Sequence, residues 1–372
     1  MIRFHAPWVL PIGEPPVRDG WVAIDGDRIA ALGGAGDRRA PPVEQAREID
    51  LGHVVILPGL VNAHTHLELS YLRDRVPAGR TFVGWILAVM AARREYPDPN
   101  APEILTGIGE GIAEAIRCGT AAVGDISNTL ATFAPLAASP LDGVVFHELI
   151  GFDPPDPIAL VDRALETIRP LNAANRGRAS LAAHAPYSVA PSVLRAIADA
   201  NDREALPTCS VHLAESAEEV EFIRTGGGPL RQLLEDFGVW DPTWASPGVS
   251  PVQYLDDLGF LTSRVMAIHG VQMTAADLSR LAARGTKLVT CPRSNAYTGA
   301  GKPPVEQFYA SGVQVAVGTD SLASTPDLNV FSELAAMRAL ARGVPAPMLL
   351  DSATRQGARA LGLDMDYGTI AP

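Results

Sequence analysis

Val54-Val55-Ile56-Leu57-Pro58-Gly59-Leu60-Val61-Asn62-Ala63-His64-Thr65-His66 is the stretch on which the reading of this chain turns. The apolar, β-branched run over 54–62 reads as a buried strand, yet it ends in two imidazoles. A buried apolar strand has no structural need for such an ending. Residues i and i+2 of a strand point to one face, so His64 and His66 project together and can share a metal ion. Two histidines flanking one residue also occur by chance. Their meaning therefore depends on what the rest of the chain brings alongside them.

Downstream, apolar runs recur over 120–125, 143–150, 179–184, 208–212, 265–269, 287–291 and 313–320. Helical patterns lie between most of them, over 102–117, 157–174, 191–200, 275–283 and 329–341, several with Pro near the first turn. Strands alternating with helices imply parallel βαβ units. Eight of them predict a closed (β/α)8 TIM barrel over 54–362. The C-terminal strand ends of such a barrel converge on one mouth, where active sites are built. His64 and His66 end the first strand, His184 the fourth, His212 the fifth, His269 the sixth and Asp320 the eighth. Five of the chain's eight histidines at strand ends is hard to explain as packing.

Residues 1–53 read instead as short strands and turns, with Asp25-Gly26-Asp27 between two apolar runs as a hairpin signal. They predict a small β-sandwich-like satellite domain, to which residues 363–372 begin a return. The stretch 238–250, with Trp240 and Trp244, interrupts the alternation and reads as a loop over the mouth or a plain surface insertion.

The length of 372 residues and a hydrophobic fraction of 47% suit one large barrel with a satellite. A formal net charge of -12 argues against nucleic acid or an anionic membrane as partner; a small diffusible substrate fits better. The three cysteines, Cys118, Cys209 and Cys291, are far apart and suggest neither a disulfide framework nor a Cys-rich zinc site. With no signal-peptide pattern and no long apolar run, a cytoplasmic protein is expected.

His212 and Asp320, from distant strands, complete a His3Asp set with His64 and His66. Zinc, iron and manganese all accept such ligands, and a metal with an open position brings bound water near neutrality in pKa. Glu215, three residues beyond His212, is placed to protonate a ring nitrogen and then a departing amine; the plainer reading is a carboxylate at a helix N-terminus. His269 is placed to orient or deprotonate the water.

These motifs together resemble the amidohydrolase superfamily. Leu57-Pro58-Gly59-Leu60-Val61-Asn62-Ala63-His64-Thr65-His66 is similar to its first-strand signature. His184-Ala185-Pro186-Tyr187-Ser188, His212-Leu213-Ala214-Glu215, His269-Gly270, Cys291-Pro292-Arg293-Ser294-Asn295 and Gly318-Thr319-Asp320-Ser321 follow in the order of its cytosine/adenosine-deaminase-like branch. The resemblance implies one divalent metal ion, zinc or iron, held by His64, His66, His212 and Asp320. It implies Glu215 as proton shuttle, His269 as water-activating group, His184 as a substrate- or site-orienting residue and Asp320 as a further proton acceptor. The only lysines are Lys287 and Lys302, both after the sixth strand, so the carboxylated lysine that bridges two metals in hydantoinase-like relatives has no counterpart. Relatives continue past a turn like Gly368-Thr369-Ile370-Ala371-Pro372 into strands that complete the small domain, so that domain is expected to be truncated, to stand alone or to stand with a partner.

Within the branch, His66-Leu67-Glu68-Leu69-Ser70 and the segment around Arg293 look most like aminofutalosine deaminases of the alternative menaquinone route. Their substrate, 6-amino-6-deoxyfutalosine, carries an adenine and a benzoate. Glu68 is then a candidate for ribose hydroxyls or a first-turn helix carboxylate. Arg293 is a candidate for the carboxylate or a rim salt bridge. Tyr187 and Trp85 would wall the ring, with core packing as the alternative for Trp85, and Ser321 would stand beside the substrate. The expected reaction is hydrolytic deamination of a heteroaromatic amine. Adenosine, S-adenosylhomocysteine, guanine or pterin deamination and triazine dechlorination use the same site. A non-catalytic metal-binding protein is the distant alternative, disfavoured because it needs neither Glu215 nor His269. A homodimer is expected from the relatives.

Overall fold

The computed structural model describes residues 1–37, 47–173, 178–204, 206 and 208–372. Its first sheet is built from β1 (Ile2–Val9), β2 (Val17–Asp25), β3 (Arg28–Gly33), β4 (Arg47–Asp50) and β5 (Val55–Ile56). The order is β3-β2-β1-β4, with β5 also on β1. The hairpin at Gly26 forms as expected, since that residue takes the left-handed φ of 61° that the turn demands.

The run 54–62 is not one strand. Val55 and Ile56 pair in parallel with Trp8 and Val9 of the small sheet, and the first barrel strand is β6 (Leu60–Thr65). Pro58 lies at the break: without an N–H it cannot continue a ladder. The chain passes from one sheet to the other within a few residues.

The barrel continues through β7 (Thr120–Ser127), β8 (Asp142–Leu149), β9 (Arg178–Ala183), β10 (Cys209–Leu213), β11 (Val265–His269), β12 (Lys287–Thr290) and β13 (Val315–Val317). The order β6 to β13 is sequential, and neighbouring strands pair in parallel. All of β6, β10 and β11 is buried, as expected where helices cover the outer face and side chains fill the interior. The seam between β13 and β6 is closed by side chains and single backbone bonds. Asn62 donates from Nδ2 to Thr319 Oγ1 at 2.8 Å and accepts at Oδ1 from the Thr319 N–H at 3.0 Å. The Asp320 N–H donates to the His64 carbonyl at 3.0 Å. Gly318 permits this approach, because a Cβ there would lie 2.7 Å from the His64 carbonyl oxygen.

The helix Pro102–Arg117 forms over the expected residues, with Pro at its start and Ile104, Ile108 and Ile112 on one buried stripe. Each such isoleucine contributes roughly 1.5–3 kcal/mol of burial. Gly107 brings this helix onto the turn after His66, since a Cβ would stand 2.6 Å from the Tyr71 nitrogen. The helix Pro157–Ala173 also forms; the last expected position, 174, lies outside the described residues. In 238–250, Trp244 stacks on Phe222 with centroids 4.9 Å apart and Trp240 on Phe152 at 5.5 Å. Those two rings anchor the segment to the barrel. The C-terminal residues return to the small sheet, where Ile370 packs with Val9 and Val22 and its N–H donates to the Pro11 carbonyl at 3.0 Å. Among the described residues no helix is long and apolar enough to cross a membrane.

Candidate active site

The strand ends bring the expected residues to one place. Ring centroids of His66, His212 and His269 lie 4.9, 5.1 and 5.5 Å from that of His64. Asp320 Oδ1 lies 3.5 Å from His66 Nε2 and 3.9 Å from His64 Nε2. Ligand atoms of His64, His66 and Asp320 sit within 4.8 Å of one another, as do those of His64, His212 and His269.

Burial sets the charge state of this cluster. It pushes His66 down to about 3 and His212 and His184 to about 4, and holds His64 and His269 well below the ordinary imidazole value. All five rings are therefore neutral near pH 7 and carry a lone pair. Both nitrogens of His64 are buried without a hydrogen-bond partner. Such a group is costly to bury unless something else takes its lone pair, so the donor set fits one divalent metal ion.

Strain accompanies these positions. His269 ends β11 at φ 78° and Asp320, beyond β13, at φ 62°; left-handed backbone at non-glycine residues is tolerated where the surroundings enforce it. Asp320 is clamped: Ser294 Oγ donates to Oδ2 at 2.5 Å and the Ser321 N–H to Oδ1 at 2.7 Å. Burial raises its pKa, with Ser294 and His212 pulling the other way. Ala214 turns at φ 52°, and the N–H groups of Ala214 and Glu215 both donate to Glu219 at 2.8 Å. That turn aims the Glu215 carboxyl at His269, with Oε2 and Nε2 3.5 Å apart. Burial, then the Asp320 charge, raises the Glu215 pKa well above the carboxylate range. On its other side His269 meets Asn295, whose Nδ2 lies 2.9 Å from Nδ1.

His184 stands just past β9. Its Nδ1 is paired with Ser188 Oγ at 2.5 Å, and its carbonyl lies 2.7 Å from His212 Nδ1, which donates to it. The other expected residues make contacts within the protein. Glu68 accepts from Ser127 Oγ at 2.7 Å, Thr129 Oγ1 at 3.0 Å, the Asn128 N–H at 3.1 Å and Arg93 at 3.3 Å; its oxygens hold the loop after β7. Arg293 forms the salt bridge: Nε donates to the buried Glu333 at 2.5 Å, and a terminal nitrogen lies 2.8 Å from the Asp327 carboxylate. Ser321 is buried with its hydroxyl 3.3 Å from Ser324. Tyr187 is buried, edge-on to Phe82 and 5.7 Å from the His184 ring. Trp85 packs on the cluster of Leu69, Leu72 and Val89.

Sequence reasoning missed Glu148, Arg93 and Glu219, and gave Ser294 and Asn295 no role. Glu148 lies at the end of β8, with Oε1 3.5 Å from His212 Nδ1. It carries the same strand-end signal as the histidines.

The amidohydrolase family model matches residues 55–372. The chain is 34% identical to the aminodeoxyfutalosine deaminase of Deinococcus radiodurans, over 92% of this chain and 81% of that one. Among solved structures, Helicobacter pylori aminofutalosine deaminase in complex with methylthio-coformycin matches with a TM-score of 0.85 and 25% identity, covering 100% of this chain and 90% of that one. An adenosine deaminase from Xanthomonas campestris with bound zinc matches with a TM-score of 0.80 and 26% identity, covering 100% and 82%. The matched span contains the whole histidine–aspartate cluster, and the chain belongs to the amidohydrolase family.

Proposed function

We propose that this amidohydrolase is a metal-dependent deaminase of an adenine-containing nucleoside, with 6-amino-6-deoxyfutalosine as the first candidate. The observation that carries this reading is Glu215, an acid kept protonated by burial and aimed beside four neutral imidazoles and Asp320. A metal-binding protein without turnover needs the imidazoles but not that acid.

His64, His66, His212 and Asp320 would hold the metal. When bound, it supplies a Lewis acid that lowers the pKa of the attacking water. Glu215 gives its proton to the ring nitrogen next to the amino-bearing carbon, which makes that carbon electrophilic. His269 keeps Nδ1 as acceptor for Asn295 and so presents an Nε2–H; its part is to orient the water by donation. Asp320, clamped by Ser294 and Ser321, takes a proton as the water oxygen bonds to carbon. Asp320 passes that proton to the amine and the added hydroxyl returns one to Glu215, so the amine leaves as ammonia and the ring carbon keeps the oxygen. Each acid–base role contributes about 10²–10⁴-fold.

The test is ammonia release by zinc-loaded protein from 6-amino-6-deoxyfutalosine, adenosine, S-adenosylhomocysteine, guanine and a pterin. Preferred turnover of the first supports the reading. Turnover of guanine or the pterin alone would replace the substrate class, and stoichiometric metal with no ammonia from any of them would overturn the deaminase reading.

A further inference from the structure

The acidic side chains Glu148, Glu215 and Asp320 cluster with the histidines, and an anionic group on the substrate needs a cation beyond them. Arg293 does not supply it, because its side chain is 18% exposed and committed to Glu333 and Asp327. The cation that does reach the site is Arg93, in the last turn of the helix Phe82–Arg94. Its side chain is 35% exposed. One terminal nitrogen donates to Asn128 Oδ1 at 3.0 Å and the other to Glu68 at 3.3 Å. Asn128 Nδ2 in turn donates to Glu148 Oε2 at 2.8 Å, and Glu148 reaches His212. Arg93 is thus separated from a candidate metal ligand by two intervening side chains.

Glu68 fixes the guanidinium without saturating it. That carboxylate already accepts from Ser127, Asn128 and Thr129, and a guanidinium has five N–H donors in a planar fork. The remaining donors have no protein partner among the described residues. A planar fork on a partly exposed side chain, hydrogen-bonded to residues that follow the strand ends, matches a carboxylate in two-point geometry.

We propose that Arg93 binds an anionic group, a carboxylate, on the part of the substrate remote from the reacting amine. This rests on the deaminase reading and narrows it to nucleosides that carry such a group. Arg93 then sets specificity and takes no part in the chemistry. The geometry also explains why a lysine would serve poorly, since it offers a point charge in place of the fork.

The experiment compares wild type, Arg93→Gln and Arg93→Lys, all zinc-loaded. For each, kcat/KM and calorimetric Kd are measured for 6-amino-6-deoxyfutalosine, its carboxyl methyl ester and adenosine. In Arg93→Gln the preference for the free acid over the ester and adenosine should fall on the order of 10–100-fold, as expected for a lost charged hydrogen bond. KM should carry most of the change, and Arg93→Lys should recover part of it. An equal loss for acid, ester and adenosine, with metal content unchanged, would overturn the proposal and reduce Arg93 to a brace for Glu68. If wild type releases no ammonia from any of the three, the deaminase reading fails, while the ratio of Kd values for acid and ester still decides Arg93.

Discussion

Asn295 Nδ2 lies 2.9 Å from His269 Nδ1, and this contact determines which nitrogen of His269 faces Glu215 with a proton. Replacing Asn295 with Asp puts an acceptor at the same place and draws the proton to Nδ1. The water-facing nitrogen then loses its hydrogen. We expect Asn295→Asp to lower kcat about 10–100-fold with metal stoichiometry unchanged, measured by steady-state ammonia release and elemental analysis. Unaltered kcat would remove the tautomer from the mechanism.

Glu215→Gln keeps the size of the side chain and removes the transferable proton. Turnover should fall by about 10²–10⁴-fold, while bound zinc and melting temperature stay at wild-type levels. Activity retained at normal metal content would show that another group moves the proton.

Arg293 pairs with Glu333, which is fully buried and pushed up to about 7 by that burial even with the guanidinium pulling it down. Arg293→Ala should cost about 3–5 kcal/mol by leaving that carboxylate unpaired, visible as a lower urea midpoint. Its effect on kcat/KM should be the same for charged and neutral substrates, unlike that of Arg93→Gln. A selective loss for the carboxylate-bearing substrate would return Arg293 to the substrate site.

Asp125 sits in β7 with the Leu67 N–H donating to Oδ1 at 2.7 Å. Burial raises its pKa to about 8, against the pull of Thr132 and Leu67. Between an unfolded value of about 3.9 and that folded value, the folded state keeps a proton that the unfolded chain releases. Stability therefore falls as pH rises across that window. Asp125→Asn keeps the acceptor and has no proton to lose, so its stability relative to wild type should improve from pH 5 to pH 8 in urea titrations. A constant difference would mean that Asp125 is ionised throughout.

Removal of the metal should abolish ammonia release and lower the melting temperature, since a ligand that binds only the folded state stabilises it. Added zinc should restore both. In His64→Ala, which takes away the ring common to the His64–His66–Asp320 and His64–His212–His269 groups, added zinc should restore neither.

The barrel was legible because its signal is repetitive. Apolar runs alternate with amphipathic stretches such as 102–117, and the parallel βαβ topology follows from that alternation. The first strand was misjudged because Val55 and Ile56 are as apolar as Leu60 and Val61; only the pairing with Trp8 and Val9 separates them. Glu148 was legible in principle, being polar at a strand end, but it lacked the imidazole that drew attention to the others.

The sequence by itself determined which residues stand at the mouth: His64, His66, His184, His212, His269 and Asp320 lie at the ends of the first, fourth, fifth, sixth and eighth barrel strands, and barrel geometry converges strand ends whatever the loops do. The tertiary structure decided which polar side chains remain available there. Arg293 meets Glu333 from 40 positions away and Glu68 meets Ser127 from 59 positions away, so both are committed within the protein, while Arg93 is left with donors to offer. Strand periodicity is a local property of the chain, whereas competition for hydrogen-bond partners is settled only when distant segments are brought together.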